Sequence, residues 1–476
     1  MHQNEVSSLT LNEYIASIKE KRIAVVGAGV SNMPLIRLML ENGCDVTVCD
    51  KRSLAEMGDT GLELKALGAA LKLGEDYLES LDQDLIFRTP GLMPFDPHLL
   101  AAAEKGSEIT SEMEIFFALC PCRTIAVTGS DGKTTTTTVI SELLKAAGHT
   151  VHLGGNIGRP LLCDVPQMRP EDFAVLELSS FQLHSMTCRP NVAVITNISP
   201  NHLDKHKDYQ DYIDAKMSIF SSQTAEDKLV LNLEDGHSAY YAAAARSSLA
   251  YFSDKKRVEN GAFCVDGQLY RVKDGLERRI MDASEIRIPG EHNVQNYLAA
   301  FSATDGLVPD EICRSVARSF AGVEHRLEHV RELNGVLFIN DSIASSPTRT
   351  GAGLRAMKRK PIIIVGGYDK HIAFDGLGDD LCRYAKRVFI TGATAEKIRA
   401  AIEASPLYPQ SGLRYEMIGS FDEAFRAAAA CAERGDVVLL SPACAAFDAF
   451  KNFAERGAHF KKLVMELKNE DIGYQT

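Results

Sequence analysis

The sequence predicts an α/β protein built from parallel sheets that are covered by helices, and three observations support this. Short β-branched runs alternate with amphipathic stretches of helix length, a spacing typical of parallel sheets. Two glycine turns each follow such a run and open a predicted helix. The chain has 476 residues, which exceeds one ordinary core and predicts about three domains.

The elements follow one another in a regular order. Ten runs are predicted to be strands, at 22–26, 45–49, 84–87, 124–128, 173–178, 192–196, 336–340, 361–365, 387–390 and 436–440. The pattern restarts near residue 118 and near residue 322, so we predict domains over 1–118, 119–322 and 323–476. The less regular residues from about 228 to 290 predict an antiparallel meander or flap.

Composition limits the classes of function. Apolar residues at 45% and charged residues at 24% are typical of a folded globular protein. The net charge of −12 argues against general affinity for nucleic acid or anionic membranes. The sequence shows no signal peptide and no stretch of about 20 apolar residues, so we expect a soluble, cytoplasmic protein without membrane insertion.

Cysteine usage predicts reduced thiols. The eleven cysteines are scattered along the chain. The close pair Cys120 and Cys122 has one residue between its members and no second pair to complete a zinc site.

The first glycine turn, in RIAVVGAGVSNMPLIRLML, resembles a dinucleotide fingerprint. Gly27 and Gly29 follow the strand, and Asp50 ends the next strand, where an acid contacts ribose in such folds. Asn32 stands where the third glycine would be, so close packing of the helix through glycine is lost. Both a phosphate-bearing ligand and a plain helix-initiating turn remain open. The candidate ligand residues are Gly27, Gly29, Val30, Ser31, Asp50, Arg52, Thr89, Pro90 and Gly91.

The second glycine turn, in TIAVTGSDGKTTTTTV, predicts a site for ATP or GTP. Only two residues separate Gly129 from Gly132, whereas the Walker pattern has four. Backbone amides at a helix start still form an anion site, Lys133 can neutralise phosphates, and the Thr134 hydroxyl can bind Mg²⁺.

Acidic and imidazole side chains follow the downstream strands. Glu177 ends an apolar run, and His202 and Asp204 come just after another. Each alone is more often a satisfied polar residue, but their shared position beside a phosphate loop favours metal-dependent catalysis. Lys216 lies on a predicted helix, and its local sequence favours a side chain that extends to solvent.

Together these residues make the chain similar to the Mur ligases. The resemblance is carried, in family order, by TGSDGKTT, GGNIG, LELSSFQL, ISPNHLDKH, DAK, GEHNVQN, EHR, NDS, GGYDK and SPACAAFDAFKNFAERG. LELSSFQL and the last segment resemble the glutamate-adding branch of that family. The resemblance implies an N-terminal Rossmann-like domain that holds a UDP-sugar, a central P-loop ATPase-type domain with a mainly parallel sheet, and a C-terminal Rossmann-like domain that receives the amino acid.

The resemblance also implies a reaction and its reactants. A carboxylate of UDP-N-acetylmuramoyl-L-alanine attacks the γ-phosphate of ATP to give an acyl phosphate. The amine of D-glutamate then displaces phosphate, so ATP hydrolysis drives formation of an amide. We expect two Mg²⁺ sites, a carbamate derived from CO₂ on Lys216, and a monomer with no nucleic-acid partner.

Residue roles are carried over by position. The resemblance implies catalytic roles for Lys133, Glu177, His202 and Lys216. It implies metal binding by Thr134, Glu177, His202 and Lys216. It implies ATP binding by Gly129, Ser130, Asp131, Gly132, Lys133, Thr134, Thr135, Asn293, Asn296, Arg326 and Asp341. It implies UDP-sugar binding by Gly29, Val30, Ser31, Asp50, Arg52, Thr89, Pro90, Gly91, Asn156, Ser179 and His202. It implies amino-acid binding by Ser345, Lys370, Ala446 and Phe453.

Three positions depart from the family pattern. Asp131 stands where asparagine is usual, so its carboxylate is expected to point away from phosphates or to be hydrogen-bonded. Ile343 stands where many members have lysine, and Ala446 stands where a serine often contacts the glutamate. The missing polar contacts could come from Ser345, Ser346, Arg349 or Lys370.

Three alternatives remain at this level. A nicotinamide-linked dehydrogenase would use the first glycine turn but leave the second without a role. A nucleotide-binding regulator without catalysis would have no need for the lysines and acids above. A related Mur ligase with another amino acid, or a ligase of the folylpolyglutamate type, would use a similar loop and lysine.

Overall fold

The computed structural model describes residues 9–200, 205–288, 290–369, 373–374 and 376–473. The chain divides into two compact units, residues 1–319 and 320–476. The first unit contains two β-sheets and the second contains one. The predicted boundary at residue 118 lies inside the first unit and stays a prediction.

The first sheet is parallel and has the order β3-β2-β1-β4-β5. Its strands are β1 (Arg22–Val26), β2 (Asp45–Asp50), β3 (Ala70–Leu73), β4 (Leu85–Phe87) and β5 (Glu108–Thr110). Its helices are Leu11–Ile18, Met33–Glu41, Leu54–Met57, Asp59–Ala66, Pro97–Glu104 and Glu112–Leu119. Ile23 and Val25 pack into one core cluster and Ala24 and Val26 into another, because successive side chains of β1 face opposite sides of a sheet that is covered on both.

The second sheet has nine strands in the order β14-β13-β12-β11-β10-β9-β6-β8-β7. They are β6 (Arg123–Thr128), β7 (Val151–Gly155), β8 (Phe173–Glu177), β9 (Val192–Ile195), β10 (Lys228–Asn232), β11 (Ser248–Ser253), β12 (Gly261–Val265), β13 (Gln268–Lys273) and β14 (Leu276–Asp282). The helices are Lys133–Ala146, Ser180–Leu183, Tyr209–Met217, Ser238–Ala244, Glu291–Ala303 and Asp310–Ser319, with 3₁₀ turns at Leu162–Gln167 and Ala283–Glu285.

The prediction of an antiparallel meander over 228–290 is wrong for its first part. β10, β11 and β12 pair in parallel and extend the central sheet. Antiparallel pairing begins only at β12–β13 and continues to β14. The helix Ser238–Ala244 supplies the crossover that a parallel pair requires, and its short apolar pattern had not been recognised as helical.

The third sheet forms the second unit and has the order β15-β16-β20-β17-β18-β19. Its strands are β15 (Glu328–Leu333), β16 (Val336–Asn340), β17 (Ile362–Gly366), β18 (Arg387–Thr391), β19 (Arg414–Met417) and β20 (Val437–Leu440). Its helices are Pro347–Ala356, Leu377–Tyr384, Ala395–Ala404, Tyr408–Ser411, Phe421–Ala430 and Phe453–Glu466, followed by a 3₁₀ turn at Asn469–Asp471. β15 pairs antiparallel with β16, and the other strands pair in parallel.

The predicted α/β class with parallel-dominated sheets is confirmed. All eleven cysteines are free thiols. Within the described ranges, no helix is both long enough and apolar enough to cross a membrane.

Candidate active site

The central glycine loop connects β6 to the helix Lys133–Ala146. Gly132 caps that helix in the left-handed region with φ of 77°. Gly129 has φ of 144°, and a side chain there would overlap the Thr196 hydroxyl at the end of β9. Glycine is therefore required at both positions, and the loop brings its backbone against the carboxyl edge of the sheet.

Lys133 folds back over this loop. Its ammonium donates hydrogen bonds to the carbonyls of Gly129 at 2.9 Å and Ser130 at 2.8 Å. Thr134 and Thr135 occupy the same first helical turn and are half-buried. A cation and two hydroxyls thus meet at a helix N-terminus, where the helix dipole also favours an anion.

Asp131 points into solvent at the rim of the loop. Its side chain is exposed, while its backbone N–H donates to Asn197 Oδ1 at 3.0 Å and its carbonyl accepts from the Thr196 hydroxyl at 2.6 Å. The backbone contacts fix the loop, and the expected outward orientation of the carboxylate agrees with this exposure.

Glu177 ends β8 beside the loop and is 1% exposed. The Asn156 side chain donates to its Oε1 at 2.7 Å, and Asn156 N–H donates to its carbonyl at 2.7 Å. Among the described residues, Oε2 is buried without a hydrogen-bond partner. Burying an unpartnered carboxylate oxygen is costly, so this atom beside the glycine loop is a candidate for contact with a cation.

Lys216 is buried, contrary to the expectation that it reaches solvent. It is 1% exposed, and its Nζ donates to the Gly129 carbonyl at 2.8 Å and lies 4.6 Å from the centre of the Tyr212 ring. The helix Tyr209–Met217 packs its apolar side under the loop, which draws this lysine inward. Burial lowers the pKa of Lys216 well below its ordinary value, and the nearby Lys133 charge acts in the same direction.

Two asparagines of the helix Glu291–Ala303 approach the loop from the other side. Asn296 Nδ2 donates to Asn293 Oδ1 at 3.0 Å, and Asn296 Oδ1 accepts from the Thr136 hydroxyl at 3.2 Å. A side chain at Gly132 would overlap Asn296 Oδ1. The predicted nucleotide residues of the first unit are therefore close neighbours.

His202 and Asp204 lie outside the described residues, but the segment after them is firmly held. His206 hydrogen-bonds Asp211 Oδ2 at 2.8 Å and Ser180 Oγ at 2.9 Å, and its side chain is fully buried. His184 bonds the other oxygen of Asp211 at 2.8 Å. Sequence analysis did not predict this network. The available signal was His206, the second histidine of HLDKH, to which no role was assigned.

A cavity of about 180 Å³ opens between the first and second sheets of the first unit. Four of the residues predicted to bind the UDP-sugar line it, namely Val30, Ser31, Pro90 and Asn156. The other described residues predicted for that ligand are not lining residues, namely Gly29, Asp50, Arg52, Thr89, Gly91 and Ser179.

Asp50 and Arg52 stabilise the first glycine turn through hydrogen bonds. Asp50 Oδ2 accepts from Ala28 N–H at 2.9 Å, and the Arg52 guanidinium donates to both carboxylate oxygens at 2.8 and 2.9 Å. Hydrogen bonds from Arg52 and Ala28 outweigh burial and lower the pKa of Asp50 to about 2. Ser179 likewise serves the fold, since its hydroxyl caps the helix Ser180–Leu183.

Asn32 corrects the expectation that helix packing is lost without the third glycine. Its side chain is 2% exposed and donates to the carbonyls of Val26 at 3.1 Å and Gly27 at 3.0 Å. The amide therefore ties the helix start to the end of β1 in place of a close glycine contact.

Arg88 and Glu112 are among the lining residues of the cavity that sequence analysis did not select. Arg88, directly after β4, is buried and donates to Ser185 Oγ and to the carbonyls of Leu92 and Phe181. Burial lowers the pKa of Arg88 to about 10. Burial raises the pKa of Glu112 to about 7, although it accepts from Leu162 N–H. The sequence signals that could have identified them were an arginine directly after an apolar strand and an acidic residue on an apolar helix.

In the second unit, Asp341 follows β16 and Ser441 follows the neighbouring β20. Ser441 Oγ donates to Asp341 Oδ2 at 2.7 Å, and Leu327 N–H donates to Oδ1 at 3.2 Å. Burial raises the pKa of Asp341 to about 7. Arg326 is exposed next to the bonded Leu327 backbone.

The predicted amino-acid residues lie around one buried arginine of this unit. Arg456 donates to the carbonyls of Ser342, Cys444 and Ala445 and so joins the loops after β16 and β20. The described candidates are on or beside these loops: Ile343, Ser345 and Ser346 are half-buried, Arg349 is exposed, Ala446 is buried, and Phe453 is 39% exposed. Lys370 lies outside the described residues.

Comparisons with known proteins place these sites in one family. The model of the Mur ligase middle domain matches residues 127–304, and that of the Mur ligase glutamate ligase domain matches residues 325–444. The UDP-N-acetylmuramoylalanine–D-glutamate ligase of Acetivibrio thermocellus is 48% identical over 461 residues, covering 96% of this chain and 99% of that relative. The ligase of the same name from Ruminiclostridium cellulolyticum is 46% identical over 464 residues, with 96% and 99% covered.

A solved structure supports the fold. The UDP-N-acetylmuramate–alanine ligase from Thermotoga maritima superposes with a TM-score of 0.54 at 19% identity, covering 94% of this chain and all of that chain. The chain belongs to the Mur ligase family.

Proposed function

We propose that this chain is the ATP-dependent ligase that joins D-glutamate to UDP-N-acetylmuramoyl-L-alanine in peptidoglycan synthesis, with release of ADP and phosphate. The identity of 48% over nearly the whole chain to a relative named for that reaction supports the assignment. The single structural observation that carries it is the meeting of Lys133, Lys216 and the unpartnered Glu177 oxygen at one glycine loop.

ATP would occupy the central loop. Its phosphates would meet the backbone amides of residues 129–134 and the Lys133 ammonium, which would exchange its loop carbonyls for phosphate oxygens. Asn293 and Asn296 are proposed to contact the adenosine end. Arg326 and Asp341 of the second unit are proposed as further ATP residues on the strength of the family motif alone.

The side chains present fit a hard cation. Glu177 offers a buried carboxylate oxygen, and Thr134 offers a hydroxyl on the first turn of the helix. We propose that these two hold one Mg²⁺, and that His202 with a modified Lys216 holds a second. The ions would supply charge neutralisation for the transferred phosphoryl group.

Lys216 is proposed to carry a carbamate. Burial lowers the pKa of Lys216, which raises the fraction present as the neutral amine, and only that form attacks CO₂. The amine nitrogen forms a bond to the carbon of CO₂ and loses one proton, which leaves a carboxylate on the side chain. The change converts a cation near Lys133 into an anion, so it removes a repulsion and provides oxygen ligands.

The cavity between the two sheets is the proposed site of the UDP-sugar. Ser31 and Asn156 can donate or accept hydrogen bonds along it, and Asn156 also holds Glu177. Asp50 and Arg52 support the first turn and are proposed to act beside the uridine, as the family pattern implies. The carboxylate at the end of the sugar-peptide would then approach the γ-phosphate of ATP beside Asn156.

The test measures phosphate release with ATP, Mg²⁺ and UDP-N-acetylmuramoyl-L-alanine against a panel of D- and L-amino acids. We expect turnover with D-glutamate and a product whose mass equals that of the two substrates less one water. Phosphate release with a folate and glutamate, and none with the UDP-sugar, would assign the folylpolyglutamate type instead. Turnover with a different amino acid would show that Ile343 and Ala446 have changed the specificity.

A further inference from the structure

Three neighbouring strands of the central sheet bring metal-binding side chains together at their amino ends. Cys122 directly precedes β6, Asp172 directly precedes β8, and His152 is the second residue of β7. The parallel register aligns Arg123 and Val151 with Phe173, so the three side chains share one edge of the sheet. This edge is opposite the glycine loop, separated from it by the length of β6, about 17 Å.

The donor atoms of this cluster are close. The Cys122 sulfur, a His152 ring nitrogen and an Asp172 oxygen all lie within 4.8 Å of one another. His152 Nε2 and Asp172 Oδ2 are 3.0 Å apart. Cys122 and Asp172 are buried, and the His152 side chain is 17% exposed.

The fold supplies what the sequence lacked. Sequence analysis set Cys120 and Cys122 aside because no second pair of cysteines could complete a zinc site, whereas the fold brings an imidazole and a carboxylate beside Cys122. The Asp172 oxygen that His152 contacts also accepts from Arg169 N–H at 3.1 Å, which fixes the carboxylate.

We propose that Cys122, His152 and Asp172 form a binding site for a thiophilic divalent cation, with Zn²⁺ as the ion expected. One sulfur, one nitrogen and one oxygen supply three of the four ligands that Zn²⁺ takes, with a water in the fourth position, and are a poor set for Mg²⁺. Binding replaces the thiol proton of Cys122, so one proton is released, and the ligands bring two negative charges to the ion.

The position is remote from the reaction. Cys122 leads into β6, Asp172 leads into β8 and His152 belongs to β7, so the ion would fasten three strands of the central sheet together at their amino ends. The ligands are at the edge away from Lys133 and Glu177. The inference is therefore independent of the ligase reaction, and its test can succeed or fail whatever the substrate is.

The experiment uses the full chain, treated with chelator and dithiothreitol and then titrated with Co²⁺ and with Zn²⁺. Bound Co²⁺ should give thiolate charge-transfer absorption at one equivalent per chain, and Zn²⁺ should displace it. Cys122→Ser should abolish the band, and His152→Gln should weaken affinity by about 100-fold or more. Co²⁺ held by Glu177 and Thr134 would give no thiolate band, so the two sites are distinguishable.

Cys163→Ser is the matched control, because Cys163 is a half-exposed thiol of the same unit outside the cluster. It should keep the band and the rise in melting temperature on Zn²⁺ addition. Absence of a thiolate band in the wild-type chain overturns the proposal.

Discussion

The two glycine loops of the first unit follow the same plan but differ in how their polar groups are satisfied. At the first, Asp50 accepts from Ala28 and Arg52 with both oxygens, and Asn32 binds two carbonyls at the end of β1. At the second, Glu177 has one buried oxygen that no described residue bonds, and Lys216 is buried close to the Lys133 charge.

The difference distinguishes a loop that stabilises the fold from a loop whose side chains can take part in the reaction. A loop whose charges are already paired gains little from a further ion and serves to hold a shape. A site with an unpartnered oxygen and two neighbouring amines is costly to the fold and gains from bound ions and phosphates. Substitutions that break the paired groups at the first loop should therefore cost stability in addition to any effect on UDP-sugar binding, and substitutions at the second should cost turnover.

The largest effect is expected at Lys216. Lys216→Ala should lower kcat by about 10³-fold or more, because it removes the proposed carbamate while leaving the fold intact. Lys216→Arg should be equally inactive, since a guanidinium keeps a positive charge but cannot be deprotonated. Phosphate release at saturating substrates measures both.

The control for Lys216 is Lys145→Ala, which changes an exposed lysine of the neighbouring helix Lys133–Ala146. It should turn over like the wild type. Wild-type enzyme freed of CO₂ should lose activity and regain it with bicarbonate. Normal turnover by Lys216→Arg would remove the carbamate from the mechanism.

Glu177→Gln should have the next largest effect, a fall in kcat of about 10²–10³-fold with a weaker dependence on Mg²⁺. The amide keeps the size of the side chain and can still accept from Asn156 through its oxygen. It loses the charge that the buried Oε2 would offer a cation. A Mg²⁺ titration of phosphate release measures this loss, and Glu142→Gln, at an exposed glutamate, is the control. An unchanged titration contradicts metal binding by Glu177.

At the first loop, we expect a change in the pH dependence of stability. The pKa of Asp50 is lowered from 3.8 to about 2, so its contribution to the free energy of unfolding is complete above pH 4 and is lost as the pH falls towards 2. After allowance for the half-exposed Arg52, that contribution is about 1–2 kcal/mol.

Urea unfolding at several pH values, followed by circular dichroism because the chain has no tryptophan, measures this contribution. Asp50→Asn should be less stable at pH 6 and should approach the wild type as the pH is lowered. Asp59→Asn, at an exposed aspartate, should leave the pH dependence of the free energy of unfolding unchanged. A constant deficit across the whole pH range would show that packing, and not charge, explains the effect.

The sequence predicts most of the sheet centres because they are buried on both faces. Arg22–Val26 and Val336–Asn340 each contain a run of four apolar residues, and their predicted and observed bounds coincide. β7, with the sequence VHLGG, was missed because its glycines and half-buried side chains give no strand pattern, although pairing with β8 holds it. β19, at the edge of the third sheet, is mostly exposed and was missed for the same reason.

The candidate site was predictable where a motif fixes a backbone shape. Gly129 and Gly132 are required by positive φ, and a local pattern can signal that. The burial of Lys216 was not predictable locally, because it depends on a helix that packs under a loop 87 residues away. The cluster of Cys122, His152 and Asp172 was hidden likewise, since only the register of three strands brings those residues together.

The smallest effect is expected at Asn32. Asn32→Ala removes the amide that binds the carbonyls of Val26 and Gly27, and a buried carbonyl left unpartnered costs about 1–2 kcal/mol in the free energy of unfolding. Asn42→Ala, at the other end of the same helix, removes one exposed bond to the Leu38 carbonyl and should cost only a few tenths. Urea unfolding of both variants measures the difference. Because the change leaves Lys133, Glu177 and Lys216 untouched, kcat should stay within about twofold of the wild type. A large fall in kcat at unchanged stability would mean that the first loop takes part in the chemistry.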